Sequence, residues 1–586
     1  MRIFLLTLLS FCMLPAMNAQ VSFTVTAPSS IAGGYDFTSN GDGTDWGLPN
    51  LDDPNDAVMD TLVLVDDGTS GINAQGIPFA NEGCNALTPG SLTGKIAVVY
   101  RYDGVSSNVC WYGTKVLNAQ NAGAIGVVMI NRDDALINVP GTTDGPFTNI
   151  PFAFISKSDG AILRARMDAG EDVVAFIGNK TGLFANDLGI SKERTVAPKI
   201  SATASQLTQN ASEFSFDLGT MISNYGSTTQ NDINVTVDVT GPGAPWSETA
   251  GPFTMQSGDT LNVFTGGTNT IGPFSLSNYP EGKYTLTYTV TQANPDESDF
   301  DNSIRYDFII SDSIIAYCSL DSLTNMPISN VNYRPAGAPV SFEACIAFRD
   351  PNASRLGAEG LYFSNVTGYN SGVTLDGEEI ALTLYQWDDN FTDLNDPNLA
   401  FNDLNAVAYG FYYYPSDLQA TTVYGSFSDP VQLLDNQRYL ACMKVNNTEI
   451  YVGHDTKIDY TESINGTLQP ISPNNSDNGF FALGFGTDLT PSIGLKVFDA
   501  SEVSLSELSN EKLRLYPNPT NDFLTLSFNA SMTGEILIYD VQGKLVGQKS
   551  IQHKALKTID VSDLSPGIYT IEAEGDSNVR AKFVKQ

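Results

Sequence analysis

The chain has 586 residues, more than one hydrophobic core organises, and at roughly 150 residues per domain it reads as about four units. Thirty Lys and Arg stand against 66 Asp and Glu, a net charge of −36, which argues against a nucleic-acid partner because phosphate polymers are held by clustered basic side chains. Apolar residues at 42% supply ample core while 51 Gly and 29 Pro mark many turns, so the chain reads as mostly β and multi-domain.

In chain order, Met1-Arg2, the apolar run Ile3 to Leu14 and the small residues through Ala19 form a charged start, a hydrophobic middle and a cut site. Residues 1–19 therefore read as a secretory signal peptide. The run is shorter than the ~20 residues that span a bilayer, and no later stretch is comparably apolar, so no transmembrane segment is expected. Gln20 follows the cut, so no cysteine is placed there for a lipid anchor. Five cysteines remain, Cys84, Cys110, Cys318, Cys345 and Cys442, in a chain bound for an oxidising compartment where pairing is expected. Cys84 and Cys110 flank one predicted strand and can bridge locally. The other three allow three alternative pairs. No Cys-x-x-Cys occurs and the two histidines, His454 and His553, lie elsewhere, so the residues do not suggest a thiolate metal site.

The first unit, residues 20–189, centres on Gly94-Lys-Ile-Ala-Val-Val-Tyr-Arg101, Cys110, and Lys115-Val-Leu-Asn-Ala-Gln-Asn-Ala-Gly-Ala-Ile-Gly-Val-Val-Met-Ile-Asn131. The pattern predicts a buried strand over 96–100, a helix over 114–121 ending before Gly123, and a second apolar strand over 125–130, joined as a βαβ unit. With Ile150-Pro-Phe-Ala-Phe-Ile-Ser156 and Asp159-Gly160 further on, these residues resemble the protease-associated (PA) domain, an α/β module. The resemblance implies a non-catalytic role in protein contact or substrate gating. This chain departs from the family between Arg101 and Cys110, where an insertion lengthens the loop and puts the family's contacts there in doubt. Acidic loops such as Asp42-Gly-Thr-Asp45 and Asp52-Asp-Pro-Asn-Asp56 could hold Ca²⁺ through oxygen ligands, but none has EF-hand spacing, and solvated turns are the plainer use.

Residues 196–313 change to short alternating runs, among them Ile233 to Val239 and Tyr284 to Val290, with turn signals every eight to twelve residues. An immunoglobulin-like β-sandwich is expected, and Asn224-Tyr-Gly-Ser227, the strand from Gly282 and the acidic hairpin Asp296 to Asn302 resemble the adhesion modules called CARDB. The hairpin acids read as a charged turn. Residues 314–500 carry aromatic strands and suggest a β-sandwich or jelly roll. Within it, Tyr409, Phe411, Tyr412, Tyr413 and Tyr414 could form a sugar-stacking platform, although strand alternation sends half of them inward and makes core packing the simpler use.

The last unit, residues 513–586, opens with Tyr516-Pro517-Asn518-Pro519 and carries alternating runs that meet at Gly543-Lys544 and Gly567-Ile-Tyr569, as a small antiparallel β-sandwich would. The set resembles the type A C-terminal sorting domain of cargo of the Bacteroidota type IX, or Por, secretion system. The resemblance implies that the secretion machinery is a partner, that the tail is removed after outer-membrane translocation, and that the product is secreted or attached to the cell surface.

Two histidines exclude most enzyme designs. Zinc peptidases need paired histidines on one helix turn, and a serine or cysteine site would have to use His454, which no nucleophile motif accompanies. His454, beside Asp455, reads as a turn residue. No protease or glycosidase signature is present, so no catalytic residue is assigned. The sequence leaves a multi-domain binding or adhesion protein as the leading reading, its protein or polysaccharide ligand unspecified. The alternatives are a hydrolase with a carboxylate pair hidden in 314–500, and an accessory factor of a secreted protease. A flat aromatic face in that region would favour binding, and a cleft holding two carboxylates about 5 to 9 Å apart would favour the enzyme.

Overall fold

The computed structural model describes residues 21–39, 45–102, 109–243, 245–335, 341–368, 371–401, 404–463, 469–476, 479–502, 513–540, 544–575 and 579–585. The expected signal peptide, Asp42 to Thr44 of the first acidic loop, residues 103–108 of the lengthened loop, and Gly543 lie outside them. With 45% of the chain in strands and 10% in helix, the protein is mostly β. Residues 1–499 and 500–586 form two compact units.

The first unit begins with an α/β body. Its strands are β1 (Val21–Ala27), β2 (Gly33–Tyr35), β3 (Phe37–Thr38), β4 (Val58–Leu64), β5 (Ile96–Tyr100), β6 (Gly126–Ile130), β7 (Phe152–Ile155) and β8 (Val174–Asn179), and its helices are α1 (Tyr112–Asn121) and α2 (Lys157–Asp168). They form one sheet in the order β2-β1-β8-β4-β5-β6-β7-β3. Strands β4 to β7 run parallel, as strands joined by helical crossovers must. Their unbroken apolar runs follow from burial on both faces. Ala97, Val99, Val127 and Met129 pack with Val116 and Ala119 of α1, while Ile96, Val98, Val128 and Ile130 pack with Leu163 of α2. Each such side chain fully removed from water contributes about 1.5–3 kcal/mol. Gly160 sets how closely α2 approaches, since a Cβ there would lie 2.3 Å from Ile130 Cγ2.

The rest of this unit is built mainly on a nine-stranded sheet and a six-stranded one, with smaller sheets of two, three and four strands beside them. In chain order their strands are β9 (Ala202–Ala204), β10 (Gln230–Thr240), β11 (Trp246–Met255), β12 (Gly282–Thr291), β13 (Ser303–Ser311), β14 (Ile314–Ala316), β15 (Phe342–Arg349), β16 (Leu356–Phe363), β17 (Glu379–Trp387), β18 (Leu404–Tyr413), β19 (Val423–Gln432), β20 (Arg438–Val445), β21 (Asn474–Ser476), β22 (Gly479–Phe481) and β23 (Gly494–Asp499). The nine-stranded sheet runs β11-β10-β12-β13-β9-β14-β23-β16-β19 and therefore continues across residue 313 without a break. The six-stranded sheet runs β18-β17-β20-β15-β21-β22. Ala344, Ile346 and Leu382 of the six-stranded sheet share one buried cluster with Leu361, Leu495 and Val497 of the nine-stranded sheet. Two sheets thus pack face to face over the second half of the unit. Gly410 on β18 lets the layers close, because a Cβ there would meet the Ser426 carbonyl oxygen of β19 at 2.2 Å.

The second unit holds β24 (Arg514–Tyr516), β25 (Phe523–Tyr539), β26 (Leu545–Asp560), β27 (Gly567–Gly575) and β28 (Val579–Lys585). They pair antiparallel as β24-β25-β27-β28, with β26 also on β25, around a core that includes Leu526, Ile536, Ile571 and Phe583.

Candidate functional site

The disulfide candidates of the α/β body meet, Cys84 and Cys110 being bonded with their Cα atoms 5.5 Å apart. Beneath them lies Lys115 of α1, wholly buried. Its Nζ donates to the Glu82 carbonyl oxygen at 2.7 Å and stands 3.6 Å from Cys84 Sγ and 4.0 Å from Glu82 Oε2. Asn118, one turn on, donates to the Gly83 carbonyl oxygen at 3.0 Å. Helix α1 therefore grips the turn that carries Cys84. Burial pulls the Lys115 ammonium down to about 8, with Glu82 opposing the shift. This ion pair is a structural clamp beneath the surface.

The second disulfide joins Cys345 and Cys442, directly opposed on β15 and β20, and leaves Cys318 buried and unbonded. The three alternatives left open by the sequence are resolved by register alone. Among the described residues, the one cluster with metal-ligand spacing is Glu343, Cys345 and Cys442, and its two sulfurs are bonded to each other. The Glu343 carboxylate accepts from the Tyr385 hydroxyl and from Asn475 Nδ2, each at 3.1 Å, and burial raises its pKa.

Three carboxylates of the acidic loops have protein donors. Asp53 accepts from Asn55 N at 2.9 Å, Asp56 from Asn50 N at 3.1 Å and Asp45 from Thr142 N at 2.6 Å. In the hairpin, Glu297 accepts from Ala185 N and Asn186 N and Asp296 from Leu188 N, all at 2.8 Å. Asp301 joins Asp187 in flanking the buried Lys180 Nζ, 2.8 Å from each. The hairpin thus fastens the end of the α/β body to the β region.

His454 is not a turn residue. It lies in the strand Ile450–Asp455, 2% exposed, with Nδ1 2.9 Å from the Val452 carbonyl oxygen and its ring against Tyr333 and Phe485. Burial depresses it to about 4, so it stays neutral at ordinary pH. A group sealed in that way is a core residue.

The open surface is the β18 end of the six-stranded sheet's outer face; toward β15 the same face is covered, Cys345, Ala347, Leu440 and Cys442 being buried with Trp387 and Phe391. Strand alternation puts Tyr412 and Tyr414 inward, as expected, but Tyr409, Phe411 and Tyr413 stand outward at 58%, 54% and 59% exposure. They occupy the edge strand β18 opposite Thr383, Ala381 and Glu379 of β17. Lys444 follows on β20 beside Ala381. The short side chains of Ala381 and Thr383 leave room beside the rings, and Tyr413 donates to the Glu379 carboxylate. Successive rings two residues apart sit about 6.6 Å apart along a strand. Large aromatics grouped in the open, with carboxylate, hydroxyl and ammonium groups beside them, are the composition of a ligand platform.

In the second unit the sorting residues lie on the exposed start of the sheet. Tyr516, Pro517, Asn518 and Pro519 are exposed, and both X-Pro bonds are cis. Asn518 acts as a short strand, donating to the Lys582 carbonyl oxygen at 3.1 Å and accepting from Val584 N at 2.8 Å. Lys544 N donates to Asp540 Oδ1 at 3.0 Å. Gly567 opens β27, and Tyr569 stacks on Phe583 while its hydroxyl donates to the Ser565 carbonyl oxygen at 2.7 Å.

This arrangement defines a multi-domain exported β protein. Residues 51–163 match the PA domain family. Residues 514–586 match the secretion system C-terminal sorting domain family. The tail directs the chain through the type IX machinery to the outer surface or the medium. No helix among the described residues is long and apolar enough to cross a membrane. No curated protein matches the chain. Similar solved structures include an aminopeptidase from Aneurinibacillus sp. strain AM-1, at 22% identity over 27% of this chain and 30% of that one with a TM-score of 0.18. A peptidase M28 precursor from Shewanella amazonensis SB2B has 19% identity, 27% and 34% coverage and a TM-score of 0.19. A Ruminococcus gnavus β-glucuronidase has 8% identity, 44% and 37% coverage and a TM-score of 0.16. The chain spans roughly a third of each of these proteins.

Proposed function

We propose that this is a polysaccharide-binding protein of the cell surface or its surroundings, and that the β18 end of the six-stranded sheet's outer face is its binding platform. The reading takes residues 20–189 as a PA domain serving as a non-catalytic contact module, 196–313 and 314–500 as immunoglobulin-like and jelly-roll-like sandwiches, and 513–586 as the sorting tail. Its main support is the row of Tyr409, Phe411 and Tyr413, all more than half exposed on one strand. Apolar sugar faces stack on such rings, and Glu379, Thr383 and Lys444 can hydrogen-bond ring hydroxyls. Type IX export supports it by placing the protein where such polymers are met.

The test is affinity electrophoresis of the purified chain in gels containing soluble plant and microbial polysaccharides, with a parallel assay for released reducing ends. Retardation by at least one polymer without release is expected. A Tyr409→Ala/Phe411→Ala/Tyr413→Ala variant should run unretarded, since each stacked ring contributes about 1 kcal/mol or more. Equal retardation of the variant would move the site elsewhere, and released sugar would favour a hydrolase.

A further inference from the structure

A second site lies away from the aromatic platform and is independent of it. A cleft of about 840 Å³ opens where the 196–313 region meets the strand ends of the six-stranded sheet, with Lys199, Phe216, Tyr317, Phe348, Arg349 and Arg438 among its walls. Arg349 ends β15, Arg438 begins β20, and the two are directly opposed in register. Opposed residues on neighbouring antiparallel strands project from the same face, and like charges so placed repel. A protein with 66 acidic and 30 basic residues has thus placed two arginines opposite each other, near enough for Arg349 to act on the charge of Arg438.

Arg438 is 5% exposed. Its guanidinium lies over Phe391 at 4.2 Å and Trp387 at 5.5 Å, which fixes its plane. Nη2 donates to Gln469 Oε1 at 2.8 Å, and Nε stands 2.9 Å from Asp389 Oδ2 in an ion pair not aligned as a hydrogen bond. Nη1 has no acceptor among the described residues. A buried charged donor without an acceptor costs several kcal/mol unless something fills the place. Burial pushes the Asp389 carboxyl up and the Arg438 guanidinium down, and Arg349 pushes Arg438 the same way. Among the described residues Asp389 is the one carboxylate in an ion pair with Arg438, and it feels the charge of Arg349 as well. Of the acids on the cleft wall, Glu462 already faces Arg194 Nη1 at 3.5 Å, while Asp217 sits beside Phe216 and Leu218.

We propose that this cleft binds an organic carboxylate, the charged end on Arg438 Nη1 and the Arg349 guanidinium and the apolar body on Phe216 and Phe348. The fork of a guanidinium matches a planar carboxylate, and the mostly apolar walls match a hydrocarbon or aromatic body. A compact dianion such as phosphate fits less well, because the net charge of −36 repels it and the apolar walls offer it nothing. A free aryl acid and the C-terminal carboxylate of a peptide present the same chemistry.

The test is calorimetric titration of the purified chain with 3-phenylpropionate and with its neutral amide. The acid is expected to bind at least about tenfold more tightly than the amide, as loss of a charge-assisted hydrogen bond implies. Arg349→Gln, at an exposed rim position that should not disturb folding, is expected to weaken the acid about tenfold and leave the amide unchanged. Arg349→Lys serves as a second rim variant should Arg349→Gln misfold, since it keeps the charge but removes the planar fork that a carboxylate needs. A peptide ending in a free Phe carboxylate, compared with its amidated form and with the aryl acid, identifies the source, and a preference for the free acid in either molecule supports the proposal. No binding of the acid, equal binding of acid and amide, or a rim variant that folds and binds the acid as before overturns it.

Discussion

Replacing Asp187 by Asn tests how the α/β body is fastened to the β region. Lys180 is buried with Asp187 and Asp301 on either side at 2.8 Å, and its ammonium also faces the rings of Tyr225 and Phe300 at 4.9 Å. One cation cannot neutralise two carboxylates. Burial, reinforced by Asp301 and Asp296 and opposed by Lys180, lifts Asp187 from 3.8 to about 7. The folded chain therefore keeps a proton that the unfolded chain releases near pH 4. Protonated Asp187 contributes stability that is complete below that point, is lost as pH rises toward about 7, and changes little beyond. The interval corresponds to about 4 kcal/mol as a ceiling, at about 1.4 kcal/mol per pH unit. Asp187→Asn keeps an oxygen for Lys180 and leaves the Lys180–Asp301 pair in place, but cannot ionise. Thermal melts at pH 4.5 and pH 8 should show the wild type losing several degrees relative to the variant at the higher pH. Parallel profiles, or a wild type that gains on the variant as pH rises, would refute the reasoning.

Two further outcomes follow from the same kind of accounting. Lys115→Met removes the ammonium that holds the Glu82–Cys84 turn and takes the cation from the buried Glu82 carboxylate, which keeps Asn73 Nδ2 as a donor at 3.1 Å, so a loss of about 3 kcal/mol is expected in denaturant melts of the full chain. Asn518→Ala deletes both side-chain bonds to the last strand, at 3.1 and 2.8 Å, and should lower tail stability by about 1–3 kcal/mol. Because the tail is a separate compact unit, calorimetry should show its transition moving while that of residues 1–499 stays in place.

Local pattern carried the α/β body far. The strand expected over 96–100 is Ile96–Tyr100, that expected over 125–130 is Gly126–Ile130, and the helix expected from residue 114 begins at Tyr112. Those apolar runs are read easily because parallel strands covered on both faces have no polar alternation. The tail was equally legible from its motif, which the family match over 514–586 bears out. His454 misled because Gly453-His-Asp-Thr456 has turn composition, yet it lies in a buried strand with its ring against Tyr333 and Phe485.

Sequence by itself determined the export tail, the PA domain, the mostly β class and the alternation of the 409–414 aromatics, because each depends on neighbours a few residues apart. Tertiary structure alone decided what long-range pairing brings together: the Cys345–Cys442 bond, the sheet that continues across residue 313, and the opposition of Arg349 to Arg438 across 89 positions of chain. Which of two alternating faces is left open is also a tertiary matter. Tyr409, Phe411 and Tyr413 are exposed because β18 is an edge strand whose other face, bearing Ala408 and Gly410, is closed against the opposite sheet. Period two divides side chains between faces, but only packing chooses which face meets water.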